Sequence, residues 1–153
     1  MRRIAPLLLP VTVLAAGCGS SSKHASTASA GSATVSTMTV VGYGTVLAKA
    51  GRPLYLLTAD PPGQSKCTGS CTSEWPPVTA TGTPTGGPGV QGSLLSTFKR
   101  SDGDTQVMYD KHALYTHKGR GLVSGAGLRS EGGIWYLVAP SGKAIKATKS
   151  GGY

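Results

Sequence analysis

Two thiols separated by three residues, Cys67 and Cys71, are the side chains best suited to chemistry in this chain. Such a pair supports either closure to a disulfide or exchange and coordination with a soft metal such as copper. Met108, His112 and His117 are the residues that would complete a soft ligand set. His112 and His117 stand an odd number of positions apart, so on one strand they point to opposite faces and chelate jointly only across a bend. Residues four apart on a regular helix hold their Cβ atoms about 5–6 Å apart, beyond the roughly 3.5–4.5 Å of a bridge. A disulfide therefore predicts a turn here, which Gly69 permits, and closing so short a ring contributes about 2 kcal/mol in the chain-entropy model.

Other reactive constellations are sparse. Asp60, Glu74, Asp102, Asp104 and Asp110 are carboxylates, but Asp102-Gly103-Asp104 has the composition of a tight turn and Asp60 precedes Pro61-Pro62, so these acids read as turn formers. The sequence has no Gly-x-Ser-x-Gly elbow, no serine with an evident histidine partner, and no glycine-rich phosphate loop. The expectation is a non-enzymatic protein without a cofactor. Tyr55, Tyr115, Trp75 and Trp135 either line a ligand groove, as aromatics with a polar tip do well, or form the core.

The third cysteine, Cys18, has a different context. Arg2 and Arg3 precede an apolar stretch that ends in Leu14-Ala15-Ala16-Gly17-Cys18, the pattern of a signal peptide over residues 1–17. The stretch is too short to span a membrane, which takes about 20 apolar residues. Small residues at 16 and 17 leave room for a peptidase, and the thiol that follows offers a site for diacylglycerol, which resembles the bacterial lipobox. Leu14 stands one place earlier than the commonest lipobox leucine. The expected location is the outer face of the cytoplasmic membrane, anchored by lipid on Cys18.

Behind Cys18, residues 18–39 read as a flexible Ser/Ala/Thr-rich tether, His24 included, because small polar side chains cannot offset their ordering entropy. Removing Arg2 and Arg3 with the leader leaves thirteen basic residues against six acidic ones, a formal +7. That charge favours contact with anionic envelope polymers or lipid. The basic residues are scattered apart from Lys143, Lys146 and Lys149, with no aromatic-basic interleaving, so nucleic acid is not an expected partner.

The elements that position these residues follow from an internal repeat. At an offset of 60, Leu54-Tyr55 falls on Leu114-Tyr115 and Trp75 on Trp135, the only two tryptophans; such self-similarity means one supersecondary unit used twice. Each copy opens with a predicted hairpin. Residues 45–48 turn through Lys49-Ala50-Gly51 into 53–58, and residues 105–109 turn through Asp110-Lys111 into 113–116. Further strands are predicted at 94–99, turning at 101–104, and at 134–139, turning at 140–142. With 23 glycines, ten prolines and no long amphipathic helical stretch, the chain predicts a small all-β domain over 40–147, with copies at about 43–80 and 103–142. Residues 79–92 read as the joining loop and 148–153 as a basic, flexible tail.

The stretches Gly51-Arg52-Pro53-Leu54-Tyr55, Thr58-Ala59-Asp60, Cys67-Thr68-Gly69-Ser70-Cys71, Trp75-Pro76-Pro77 and Arg100-Ser101-Asp102-Gly103 together resemble the bacterial secreted-repeat lipoproteins, which carry a Tyr-x-aromatic-x-x-Asp motif and have no established function. The resemblance implies an exported lipoprotein built on that repeat, with Tyr55, Asp60, Trp75, Tyr115 and Trp135 as its motif positions. Leu57 stands where the motif has an aromatic, Arg120 where the second copy would have its aspartate, and Asp110-Lys111 where the family's turn is usually Asn-Gly. A left-handed lysine in that turn costs on the order of 1 kcal/mol. The function expected is a binding or scaffolding module of the cell envelope with an unknown ligand; the alternative is an extracytoplasmic redox or copper-handling protein using Cys67 and Cys71.

Overall fold

A computed structural model describes residues 34–147. The leader, Cys18, the tether as far as residue 33 and the tail 148–153 lie outside the described residues. Ten short strands carry the fold: β1 (Ser36–Val40), β2 (Gly44–Lys49), β3 (Arg52–Pro53), β4 (Tyr55–Leu57), β5 (Leu95–Lys99), β6 (Thr105–Tyr109), β7 (His112–Ala113), β8 (Arg129–Ser130), β9 (Gly133–Val138) and β10 (Ala144–Ile145). Among the described residues the one α-helical turn is α1 (Cys71–Glu74), so the all-β expectation holds.

Both predicted hairpins form, and their turns have the same backbone. Ala50 and Gly51 have φ of 48° and 74°, Asp110 and Lys111 have 47° and 67°; two-residue turns of this hand match the right-handed twist of the strands they join. Lys111 thus holds the left-handed conformation that its glycine counterpart holds freely.

One expectation needs correcting. The composition predicts a tether as far as residue 39, but Ser36–Val40 is a strand paired antiparallel with β2, and Val35 before it is fully buried. The β-branched residues Thr37, Thr39 and Val40 suit a strand, and the ladder satisfies backbone groups that a free tether leaves to water.

With β1 included, the repeat extends further than the aromatic spacing indicates. Met38 pairs with Val46 as Phe98 pairs with Gln106, and Ala48 with Pro53 as Met108 with Ala113. The copies then interlock. β4 of the first copy pairs with β9 of the second, placing Tyr55 opposite Leu137, while Tyr115 of the second bridges Pro77 of the first. At the centre, Tyr55 and Tyr115 exchange both backbone hydrogen bonds, at 2.9 and 3.0 Å. Residue i of one copy meets j of the other and the converse also holds, which is the relation of a two-fold axis.

This interlocking explains why the strand predicted over 53–58 is broken at Leu54. Its N–H donates to Leu47 within the copy, while its C=O accepts from Val138 of the other, so the chain changes partners there. β4 is buried on both faces, which suits an apolar run without alternation. Tyr55 and Leu57 enter a core with Trp75, Tyr115, Trp135 and the two cysteines. Leu54 and Leu56 enter a second with Leu47, Val107, Leu114 and Val138.

Candidate functional site

The matched aromatics meet in the middle of the first core. Trp75 and Trp135 stack with centroids 3.8 Å apart and planes 3° from parallel. Tyr55 meets Trp75 edge-on at 5.3 Å, and Tyr115 meets Trp135 in the same way at 5.0 Å. All four are at most 1% exposed, so of the two readings open for them the core reading is correct. Trp135 keeps its indole N–H paired by donating to Ser130 Oγ at 2.9 Å.

Cys67 and Cys71 form a disulfide. Gly69, with φ of 59°, lets the chain turn between them, and α1 begins only at Cys71, so the bridge spans a turn rather than a helix. Both cysteines are buried. Among the described residues no group of three or more His, Cys, Asp or Glu side chains is arranged to hold a metal ion. Met108 is a core residue, 8% exposed.

Asp60 has more than a turn former's part. Its N–H closes a turn onto the Leu57 carbonyl, yet its carboxylate reaches across to the other copy. Tyr115 Oη donates to Asp60 Oδ2 at 2.6 Å, and the Lys66 N–H donates to Oδ1 at 2.7 Å. Ser65 Oγ lies 2.6 Å from the same tyrosine oxygen. Burial pushes the Asp60 carboxyl above its usual range, against the hydrogen bonds from Tyr115 and Lys66 and the charges of Arg100 and Lys66. Tyr115 is pushed up as well, by burial and by the carboxylate it faces. The motif tyrosine and aspartate of the first copy therefore do not pair with each other.

Arg100 and Gln106 join the same cluster. The guanidinium of Arg100, whose side chain is 2% exposed, donates to Gln106 Oε1 at 2.6 Å, Cys67 O at 2.9 Å, Ser65 Oγ at 3.2 Å and Asp102 Oδ2 at 2.9 Å. Gln106 Nε2 donates to the Leu114 carbonyl at 2.8 Å. In the first copy the corresponding residues are Val40 and Val46, both buried. Polar atoms in that place are tolerated because each is satisfied: among the described residues no buried side-chain polar atom lacks a partner. The cluster fastens the disulfide loop to β5 and β6.

The fold also makes a contact that the sequence does not reveal. His117 Nδ1 lies 3.0 Å from Ser124 Oγ and Nε2 lies 3.4 Å from Glu74 Oε1, so a serine does have a histidine partner. The imidazole packs on Trp75 at 4.2 Å. The Ser124 hydroxyl also lies 3.1 Å from the Gly121 carbonyl, so its single proton serves either that oxygen or the imidazole. His112 lies in β7, apart from this group.

Around the Tyr55 hydroxyl the second copy is built differently. That hydroxyl makes a long 3.4 Å bond to Leu122 O, with the Gly125 N–H against it. Arg52 Nη2 donates to the His117 carbonyl. A cavity of about 40 Å³ lies among Arg52, Pro53, Tyr55, His117, Gly121 and Leu122. A far larger open cleft, about 750 Å³, is bordered by Thr34, Lys49, the threonines of 79–83 and Asp104, and uses none of the aromatic or cysteine residues.

No curated protein and no solved structure matches the chain. The model of a lipoprotein family described as a secreted repeat of unknown function matches residues 40–79, a stretch that holds most of the first copy, including Tyr55, Asp60, both bridged cysteines and Trp75, and that is consistent with a distant relationship to that family.

Proposed function

We propose that the chain is a lipoprotein anchored through Cys18 on the outer face of the cytoplasmic membrane, and that its two-copy β module binds or scaffolds anionic envelope material without catalysing a reaction. The observation that carries this reading is how the surface is divided. The matched aromatics are committed to the interior, while Lys99, Lys118, Arg129, Lys143 and Lys146 are exposed. Among the described residues the ion pair of an arginine or lysine is Arg100 with Asp102, so these five cations face solvent without a carboxylate partner. Such a surface attracts polyanions, and salt screens the attraction over about 8–10 Å at moderate ionic strength. A buried disulfide fits an oxidising compartment, and the secreted-repeat match supports export.

The test is retention of the leaderless chain, with Cys18 replaced by serine, on vesicles containing anionic phospholipid and on envelope extracts. Retention that exceeds a charge-matched control protein and declines with salt is the expected result. Retention no greater than that control overturns the binding reading. The anchor is tested separately by mass spectrometry of membrane extracts, where an unmodified N-terminus beginning anywhere other than Cys18 overturns it.

The redox or copper alternative draws less support. Its two sulfurs are bonded to each other and buried, and a locked bridge of this kind is expected to have a reduction potential below about −300 mV.

A further inference from the structure

The two-fold relation between the copies sets up a comparison between two tyrosine hydroxyls. Tyr115 Oη has a carboxylate partner, because Asp60 of the other copy accepts its proton at 2.6 Å. That carboxylate also takes a backbone N–H, from Lys66, and lies within the field of Arg100. At the related place the second copy has Arg120 instead of an aspartate, and Tyr55 Oη, although its side chain is as buried as that of Tyr115, donates to the Leu122 carbonyl at a long 3.4 Å.

The donors of the carboxylate site are nevertheless present around Tyr55. There is the hydroxyl itself, the Gly125 N–H directed at it, and the charge of Arg52 close enough to act on it. One Arg52 N–H goes to the His117 carbonyl, which fixes the guanidinium at the cavity, and a guanidinium has five N–H donors in all. The cavity that Tyr55 and Arg52 line, about 40 Å³, exceeds the roughly 10–15 Å³ that one water needs on the same measure. It has room for a group of a few heavy atoms and no more.

We propose that this cavity binds a carboxylate, which accepts the Tyr55 hydroxyl proton and a guanidinium N–H of Arg52, and so does for Tyr55 what Asp60 does for Tyr115. A guanidinium matches the two coplanar oxygens of a carboxylate. The site does not depend on the overall basic surface, and it stands or falls separately from the binding of polyanions. The carboxylate belongs either to a small free acid or to the C-terminus of a peptide.

The experiment is a titration of the full mature chain, followed through the amide resonances of Leu122 and Gly125. Probes are sodium acetate, an N-acetylated dipeptide with a free C-terminus, the same dipeptide as its amide, and sodium chloride at matched ionic strength. Saturable shifts with acetate or the free dipeptide, but not with the amide or chloride, are expected, and the tighter of the two acids identifies the source. Arg52→Gln, at an exposed position, and Tyr55→Phe, which keeps the ring, should each weaken binding about tenfold or more, the effect of losing one charge-assisted hydrogen bond. Shifts that do not saturate, that chloride reproduces, or that survive Arg52→Gln unchanged overturn the site.

Discussion

Trp75 and Trp135 stand 60 residues apart in sequence and stack in parallel at 3.8 Å, so the repeat visible in the chain is also a physical contact between its two copies. Each indole covers the other, and each receives the edge of its own copy's tyrosine. Trp75→Ala should therefore destabilise the whole domain by about 3–5 kcal/mol, the usual range for removing a buried large aromatic. Cooperative urea unfolding followed by Tyr55 and Tyr115 together checks it. Loss of one copy's structure with the other intact would show that the copies fold separately.

The turn at Asp110-Lys111 offers a gain. Lys111 holds φ of 67° where Gly51 holds 74° in the other copy, and the backbone there is also fixed by the Gly63 N–H donating to the Lys111 carbonyl at 2.9 Å. Lys111→Gly should stabilise the domain by about 1 kcal/mol, the approximate penalty of a left-handed side-chain-bearing residue. A shift of the thermal midpoint upward by a few degrees checks it. A downward shift would mean that the lysine side chain contributes more than its backbone costs.

The hairpins were legible in the sequence because turn chemistry and strand alternation are local. The spacing of tyrosine and tryptophan also showed the repeat. What local pattern cannot supply is a partner: nothing in Tyr55-Leu56-Leu57 says that it pairs with residues 135–137 and not with its own copy. Ser36–Val40 was missed because a run of small polar residues leads directly into it. The Asp60 to Tyr115 bond crosses between copies, so the motif spacing within one copy points to the wrong tyrosine. One signal was available. Extended to the strands before each hairpin, the same offset sets Arg100 and Gln106 over Val40 and Val46, and two polar residues at matched core positions of a repeat indicate a buried polar pair.

Asp60 makes stability depend on pH in an unusual direction. Burial holds its folded pKa above the ordinary value, so the folded state binds the proton more tightly than the unfolded chain does. The resulting stabilisation is fully present below the unfolded pKa of about 3.9 and is lost as pH rises through the folded value. Asp102 behaves oppositely. Its hydrogen bond from Arg100 holds its pKa low, so its contribution is present above the unfolded pKa and is lost as pH falls through the folded value. Relative to Asp60→Asn, which cannot ionise there, the wild type should lose stability as pH rises through the raised folded pKa of Asp60, and then level off. Urea denaturation of both proteins across the acid range checks this; a constant difference between them would show that Asp60 does not titrate with folding.

Arg100 and Gln106 supply the last prediction, because the first copy shows what an apolar version of the same site looks like. Removing the guanidinium alone, as Arg100→Val, leaves Gln106 Oε1 without its donor, while the Cys67 carbonyl keeps only the longer bond from Ser65 Oγ at 3.3 Å. An orphaned buried group costs about 1–3 kcal/mol. Replacing both residues, as Arg100→Val with Gln106→Val, removes that orphan and restores the pair found at Val40 and Val46. Buried polar groups exchanged for well-packed apolar ones are often neutral in stability. The double variant should therefore be more stable than Arg100→Val alone, with a coupling of about 1 kcal/mol or more in a double-mutant cycle. Strictly additive losses would mean that the arginine is held mainly by Asp102 and Ser65. In that case its work is to clamp the disulfide loop and not to satisfy the glutamine.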